Sequence, residues 1–182
     1  MPQVTASYKY KIILIIFVHM KDKLLGKTLE ELKTVAVELG LPSFTGSQLA
    51  HWMYVKRVRS FGEMTNISKA ARESLEKKFD LGVSAPSGVA ASADGTRKYL
   101  FEVTCPVGGM EETSAVEAVM IPDEDRRTLC VSSQAGCKMG CRFCMTGRQG
   151  FHGQLSAADI LNQFISVDES AELTNAVFMG MG

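Results

Sequence analysis

The residues able to do chemistry crowd into one stretch, Cys137-Lys-Met-Gly-Cys141-Arg-Phe-Cys144. The three thiols have C-x3-C-x2-C spacing, with an aromatic directly before the third. Thiolates are soft ligands that select iron–sulfur clusters, zinc or copper(I). Four of them saturate a [4Fe–4S] cube. Three leave one iron without a protein ligand, and that iron is open to a substrate. The alternative is half of a structural zinc site. Zinc commonly takes four ligands from two C-x2-C knuckles, and one knuckle is present here. Lys138, Arg142 and Arg148, with no acid anywhere in 137–150, favour thiolates and anionic ligands.

The flanks predict the elements that position this loop. Thr128-Leu-Cys-Val-Ser-Ser133 is apolar and β-branched and predicts a short strand running straight into it. A helix is predicted from Ser156, with Asp159 completing an S-x-x-D cap. Ile160, Leu161, Phe164 and Val167 give it one apolar face. Residues 175–179 predict the next strand, followed at once by Gly180-Met-Gly182, whose glycines permit close backbone approach. Strand, loop, helix and strand form a βαβ unit. The cysteines fall at the C-terminal end of its first strand, where barrel enzymes carry their chemistry.

Upstream, Thr28-Leu-Glu-Glu31 is a capping box, and Gly40 and Pro42 end the helix it opens. Thr45-x-x-Gln48 predicts a second helix, with Lys56, Arg57 and Arg59 at its end. A third is predicted over 68–79. The basic run reads either as a solvated end favourable to the helix dipole or as a phosphate contact. Trp52 reads as core rather than a base-stacking platform. Asp94-Gly95 predicts a two-residue hairpin turn between strands 89–93 and 96–104. Residues 105–109 read as a loop, in which Cys105 belongs to no ligand spacing. A strand over 114–121 ends at Pro122. The expected architecture is α/β. It has a leader, disordered or non-native, over 1–23, a helical accessory domain over 24–82 and an antiparallel β linker over 83–126. The start of an incomplete β/α barrel follows over 127–182.

Lys plus Arg and Asp plus Glu number 20 each, so no global basic field announces a nucleic acid. The zero hides an asymmetry: no Lys or Arg follows Gly150, so an RNA surface is expected before Phe151. Five cysteines, three of them clustered, point to a reducing, cytoplasmic compartment. The apolar run at 12–18 is far shorter than the ~20 residues a membrane helix needs. It is followed by no small-residue cleavage site. Met20-Lys-Asp-Lys-Leu-Leu25 resembles a natural start, so 1–19 read as translated upstream sequence.

Several ordered stretches resemble one family. They are Gln48-Leu-Ala-His-Trp-Met-Tyr54, Val116-Glu-Ala-Val-Met-Ile-Pro122, Arg127-Thr-Leu-Cys-Val-Ser-Ser-Gln134, the cysteine motif, Gln149-Gly-Phe151 and Met179-Gly-Met-Gly182. The family is the radical S-adenosylmethionine (SAM) adenine carbon-2 RNA methyltransferases of the RlmN type, to which the carbon-8 enzymes of the Cfr type are similar. The resemblance implies a [4Fe–4S] cluster on Cys137, Cys141 and Cys144, and S-adenosyl-L-methionine on its open iron. It implies that Gly180 and Gly182 belong to the cradle for the methionine part of SAM. On spacing alone Glu117 reads as a carboxylate on the wet face of a strand; the resemblance implies a proton acceptor. Cys130 alone reads as a small buried hydrophobe or a fourth metal ligand. The resemblance implies the thiol that resolves a covalent protein–RNA intermediate by closing a disulfide. Gly153-Gln154 departs from the Arg-Asn common in the family, which puts a local basic contact in doubt.

The implied partners are ribosomal RNA, tRNA and an electron donor, with no membrane, and the protein is expected to be a monomer. The methyl-carrying cysteine of the family is expected beyond this chain. On that expectation the chain alone is inactive, and residues 128–182 are loosely packed. Other classes remain: a radical-SAM enzyme with a different substrate, a zinc-binding RNA module, or an inert fragment.

Overall fold

In the computed structural model, residues 21–107 and 110–178 are described, with the side chains of Val107 and Met110 excepted. Gly180, Gly182 and positions 1–20 of the expected leader lie outside them. Asp22 and Lys23, also assigned to the leader, instead form β1 (Asp22–Lys23), which pairs in parallel with β2 (Phe79–Asp80).

Three helices lie between these strands: α1 (Leu29–Glu38), α2 (Phe44–Ala50) and α3 (Lys69–Lys78). Thr28 caps α1 through the full reciprocal box with Glu31. Helix α2 starts one residue before Thr45, whose side chain is buried inside it. Gly46 explains why: a Cβ there would lie 2.5 Å from the Lys33 backbone, so α2 packs directly on α1. Helix α2 runs on into a π-type turn, His51–Val55. Trp52 is half-buried against this core, and its indole N–H is bonded to Asn66. Leu32, Leu49, Met53, Met64 and Leu75 fill the centre of the helical layer.

The second layer is a five-stranded sheet in the order β3-β4-β5-β6-β9. Its strands are β3 (Gly88–Ala91), β4 (Arg97–Val107), β5 (Met110–Asp123), β6 (Arg126–Cys130) and β9 (Asn175–Val177). All pairs are antiparallel except β6 with β9. The β3–β4 connection is longer than two residues. Ser92 N–H donates to Thr96 O at 2.8 Å, and Gly95 takes the positive-φ position before the bond closes. Cys105 and Pro106 are not in a loop. They extend β4, opposite Glu112 and Glu111 of β5. Pro122 likewise stays inside β5, opposite Arg127. Pro106 lies beyond the end of β3 and Pro122 beyond the end of β4, so neither missing N–H costs a ladder bond on that side.

Helix α4 (Met145–Arg148) lies in the cysteine loop, and helix α5 (Ala157–Ser166) joins the layers. Ser156 and Asp159 form the predicted capping box of α5. The helix has two buried faces rather than one. Ala158, Leu161 and Ile165 pack into the helical core, while Ile160 and Phe164 pack on the sheet core with Val167. Leu129, Val131 and Val167 are almost wholly buried, so this part of the chain has a packed core, while Met139, Phe143, Met145 and Phe178 stay exposed.

Candidate active site

Alternation along β5 decides which side chains face the chemistry. Val116, Ala118 and Met120 point into the sheet core with Leu129. Glu117 and Val119 therefore point to the opposite face. Val119 lies directly across from Cys130, so Cys130 shares that face with Glu117. The fold thus sets the two side chains, from separate strands, on one face of the sheet. Cys130 is 5% exposed. The Glu117 side chain is 46% exposed and meets Lys98 Nζ at 3.0 Å.

Behind Glu117 the backbone is fixed by a buried relay. Ser132 Oγ donates to Glu117 O at 2.8 Å. Gln163, on α5 and 0% exposed, accepts from Ser132 N–H and donates to Ser132 O, both at 2.9 Å. A side-chain amide here does what a neighbouring strand would do. Asn162 makes the same two-way clamp on Ser84, accepting from its N–H at 2.9 Å and donating to its O at 3.0 Å. Neither amide was singled out from the sequence. The available signal was polarity itself: two amides in the middle of an apolar helix need buried partners.

The cysteine loop is closed at its base by strands the sequence does not announce, β7 (Gln134–Gly136) and β8 (Phe151–Gln154). Cys137 N–H donates to Gly150 O at 2.9 Å. Gly136 has φ +70°, and a Cβ there would lie 1.8 Å from Gly150 O. Within the loop, α4 (Met145–Arg148) begins just after Cys144. Lys138 Nζ stands 4.5 Å from the centre of the Phe151 ring. Phe143 is 93% exposed at the loop tip.

None of the five cysteines is joined in a disulfide. The N–H groups of Gly147 and Thr146, with the Thr146 hydroxyl, hold the Cys144 thiol below the usual cysteine range. Burial pushes the Cys105 thiol up, assisted by the charges of Asp159 and Glu112. Cys105 is 1% exposed, and its Sγ contacts Gln154 O at 3.8 Å. Gly153 packs on it so tightly that a Cβ would come within 2.5 Å of Cys105 Cβ. An arginine at 153 is therefore incompatible with this packing.

Among the described residues, no three His, Cys, Asp or Glu side chains are gathered closely enough to hold a metal ion. The loop spaces its thiols without converging them. The donor set nevertheless fits an iron–sulfur cluster. It offers three free, half-buried thiols on one loop, one of them stabilised as thiolate by backbone amides. Between loop and sheet face lies a cleft of 390 Å³, lined among others by Lys98, Glu117, Ser132, Gln134, Thr146 and Gln149. The basic run is partly engaged elsewhere: Arg57, at φ +54°, donates to Ser170 Oγ at 3.3 Å. Among the described residues no helix is long and apolar enough to cross a membrane.

The fold resembles that of about half of a radical SAM methyltransferase. A crystal structure of such an enzyme from Sphaerobacter thermophilus superposes with a TM-score of 0.77 at 34% identity. The match covers 88% of this chain and 47% of that one. Within that class the likeness is to RlmN. Residues 23–81 match the ribosomal RNA large subunit methyltransferase N-terminal domain. A probable dual-specificity RNA methyltransferase RlmN of Porphyromonas gingivalis is 60% identical over 162 residues, covering 89% of this chain. The dual-specificity RNA methyltransferase RlmN of Geotalea uraniireducens is 44% identical over 155 residues, covering 85% of this chain. The chain spans 44% of the length of the first relative and 43% of the second.

Proposed function

We propose that the full-length protein carrying this chain is a radical SAM methyltransferase acting on carbon 2 of adenosine in large-subunit ribosomal RNA and in tRNA. The observation that carries the reading is the placement of Glu117 and Cys130 on one face of the sheet, with Glu117 lining the cleft bounded by the cysteine loop. Cys137, Cys141 and Cys144 would hold a [4Fe–4S] cluster, with one iron left for the amino and carboxylate groups of SAM. Gly180 and Gly182 would approach the methionine part of SAM. When bound, the cluster would supply one-electron reducing chemistry towards SAM, fed by an external electron donor.

The remaining work falls to this chain. The target adenine, unpaired or flipped out, enters the cleft. Glu117 accepts the proton leaving the ring carbon. Cys130 supplies the thiol that resolves the protein–RNA linkage. Its burial keeps that thiol from bulk oxidants until the linkage forms beside it. On this reading the protein works as a monomer, and five cysteines, three of them clustered, suggest a reducing cytoplasm.

The test is Cys130→Ala in the full-length protein, given SAM, reductant and unmodified RNA. A retarded protein–RNA species on a denaturing gel is expected in place of released 2-methyladenosine. Free methylated product at the wild-type rate would refute the role of Cys130.

A further inference from the structure

We propose that Lys98 is a positioning residue for Glu117, holding its carboxylate at one point in the cleft; this rests on the proton-acceptor reading of Glu117. Lys98 Nζ lies 3.0 Å from Glu117 Oε1. The pair is diagonal across the β4–β5 ladder. Lys98 stands opposite Val119, and Glu117 stands opposite Leu100. Register alone therefore sets both side chains on the cleft face, a two-residue step apart.

An exposed ion pair adds little to stability, and stability is not its part here. What matters is the freedom left to Glu117. Its backbone carbonyl is held by Ser132 Oγ, and Ser132 by the buried Gln163. That relay fixes where the side chain starts but not where it ends. A glutamate has three side-chain torsions, and a carboxylate swinging among their wells is displaced by ångströms. Among the described residues lining the cleft, Lys98 is the sole cation. The acid on the same face of β4, Glu102, repels a carboxylate, and Cys130, Thr146, Gln134 and Gln149 carry no fixed positive charge. One ammonium thus defines the well in which Glu117 rests, and a proton acceptor misplaced by about 1 Å loses rate steeply.

The test is a double-mutant cycle in the full-length protein with Lys98→Met, Glu117→Gln and the pair. Lys98→Met is expected to lower kcat roughly 10- to 100-fold, the scale of ångström misplacement. KM for RNA should not change, and Lys98→Arg should recover part of the loss. In the Glu117→Gln background the same change is expected to alter kcat by less than about twofold, because Lys98 acts through that carboxylate. Losses that multiply in the double variant overturn the inference. So does a Lys98→Met effect confined to KM and steepened by salt, which would mark a phosphate contact. Unchanged Lys98→Met kinetics overturn it too. A Glu117→Gln variant that turns over at the wild-type rate overturns the underlying reading as well. That result separates failure of the reading from failure of the inference. Both side chains are half-exposed, so the variants leave both cores intact.

Discussion

The cysteine loop and the sheet face across the cleft achieve placement by different means. Glu117 and Cys130 are set by a ladder that runs the length of β5 and by a wholly buried amide behind it. The thiols sit on a tether pinned only at its base by β7 and β8, and they do not converge. The difference suits the proposed chemistry. A proton acceptor must stand in place before substrate arrives, because each ångström costs rate. Ligands of a cluster need only be spaced correctly, since binding free energy can order them.

The largest effect tests the tether. Anaerobic iron and sulfide are expected to load about four of each per chain. Alanine at Cys137, Cys141 or Cys144 should each abolish the brown chromophore, while Cys105→Ala keeps it. Bound zinc with no chromophore would mean the loop is a zinc knuckle and would end the contrast.

Next in size is the pin itself. Gly136→Ala places a Cβ within 1.8 Å of Gly150 O at φ +70°. The strain is about 1–3 kcal/mol even before the clash. Iron content is expected to fall sharply while the sheet core still melts cooperatively. Full iron loading would show that β7 and β8 do not hold the loop.

Much of this architecture was readable beforehand, for local reasons. The boxes Thr28–Glu31 and Ser156–Asp159 are complete within four residues, and both form as read. Glu117 and Cys130 sat in β-branched, apolar runs, and both lie in strands. What was hidden depends on partners far along the chain. Gln134-Ala-Gly and Phe151-His-Gly-Gln have little intrinsic strand preference; their pairing is imposed by closure of the loop between them. Cys105-Pro106 looked like a loop because proline breaks most strands, yet an unpaired side removes the penalty. The second face of α5 was invisible because Asn162 and Gln163 disguise a buried stripe as a wet one. Nothing in the sequence sets Lys98 apart; the register of β4 on β5 places it beside Glu117.

The relay behind Glu117 gives an intermediate effect. Gln163→Leu leaves the N–H and C=O of Ser132 buried without partners. Each such group costs about 1–3 kcal/mol. Unfolding should show that loss, and amide exchange at Ser132 should quicken far more than at Val119 in the middle of β5. Equal quickening at both positions would mean that α5 supports the sheet as a whole rather than this one peptide.

The smallest expected effect compares the two caps. Thr28→Ala and Ser156→Ala each remove a side chain that accepts from an N3 amide, Glu31 N at 3.4 Å and Asp159 N at 3.2 Å. Each is expected to cost about 1 kcal/mol of stability. They should differ in reach. Thr28 caps α1, which packs within the helical core alone. Ser156 caps α5, which lies in both cores and carries Gln163. Its partner Asp159 also meets Lys23 of β1 at 2.9 Å, so fraying there loosens the edge of the first layer as well. Amide exchange is therefore expected to quicken in the helical layer alone for Thr28→Ala, and in both layers for Ser156→Ala. If Ser156→Ala quickens exchange only within the first turn of α5, the helix is held by its packed faces. The junction between the layers then does not depend on how that helix begins.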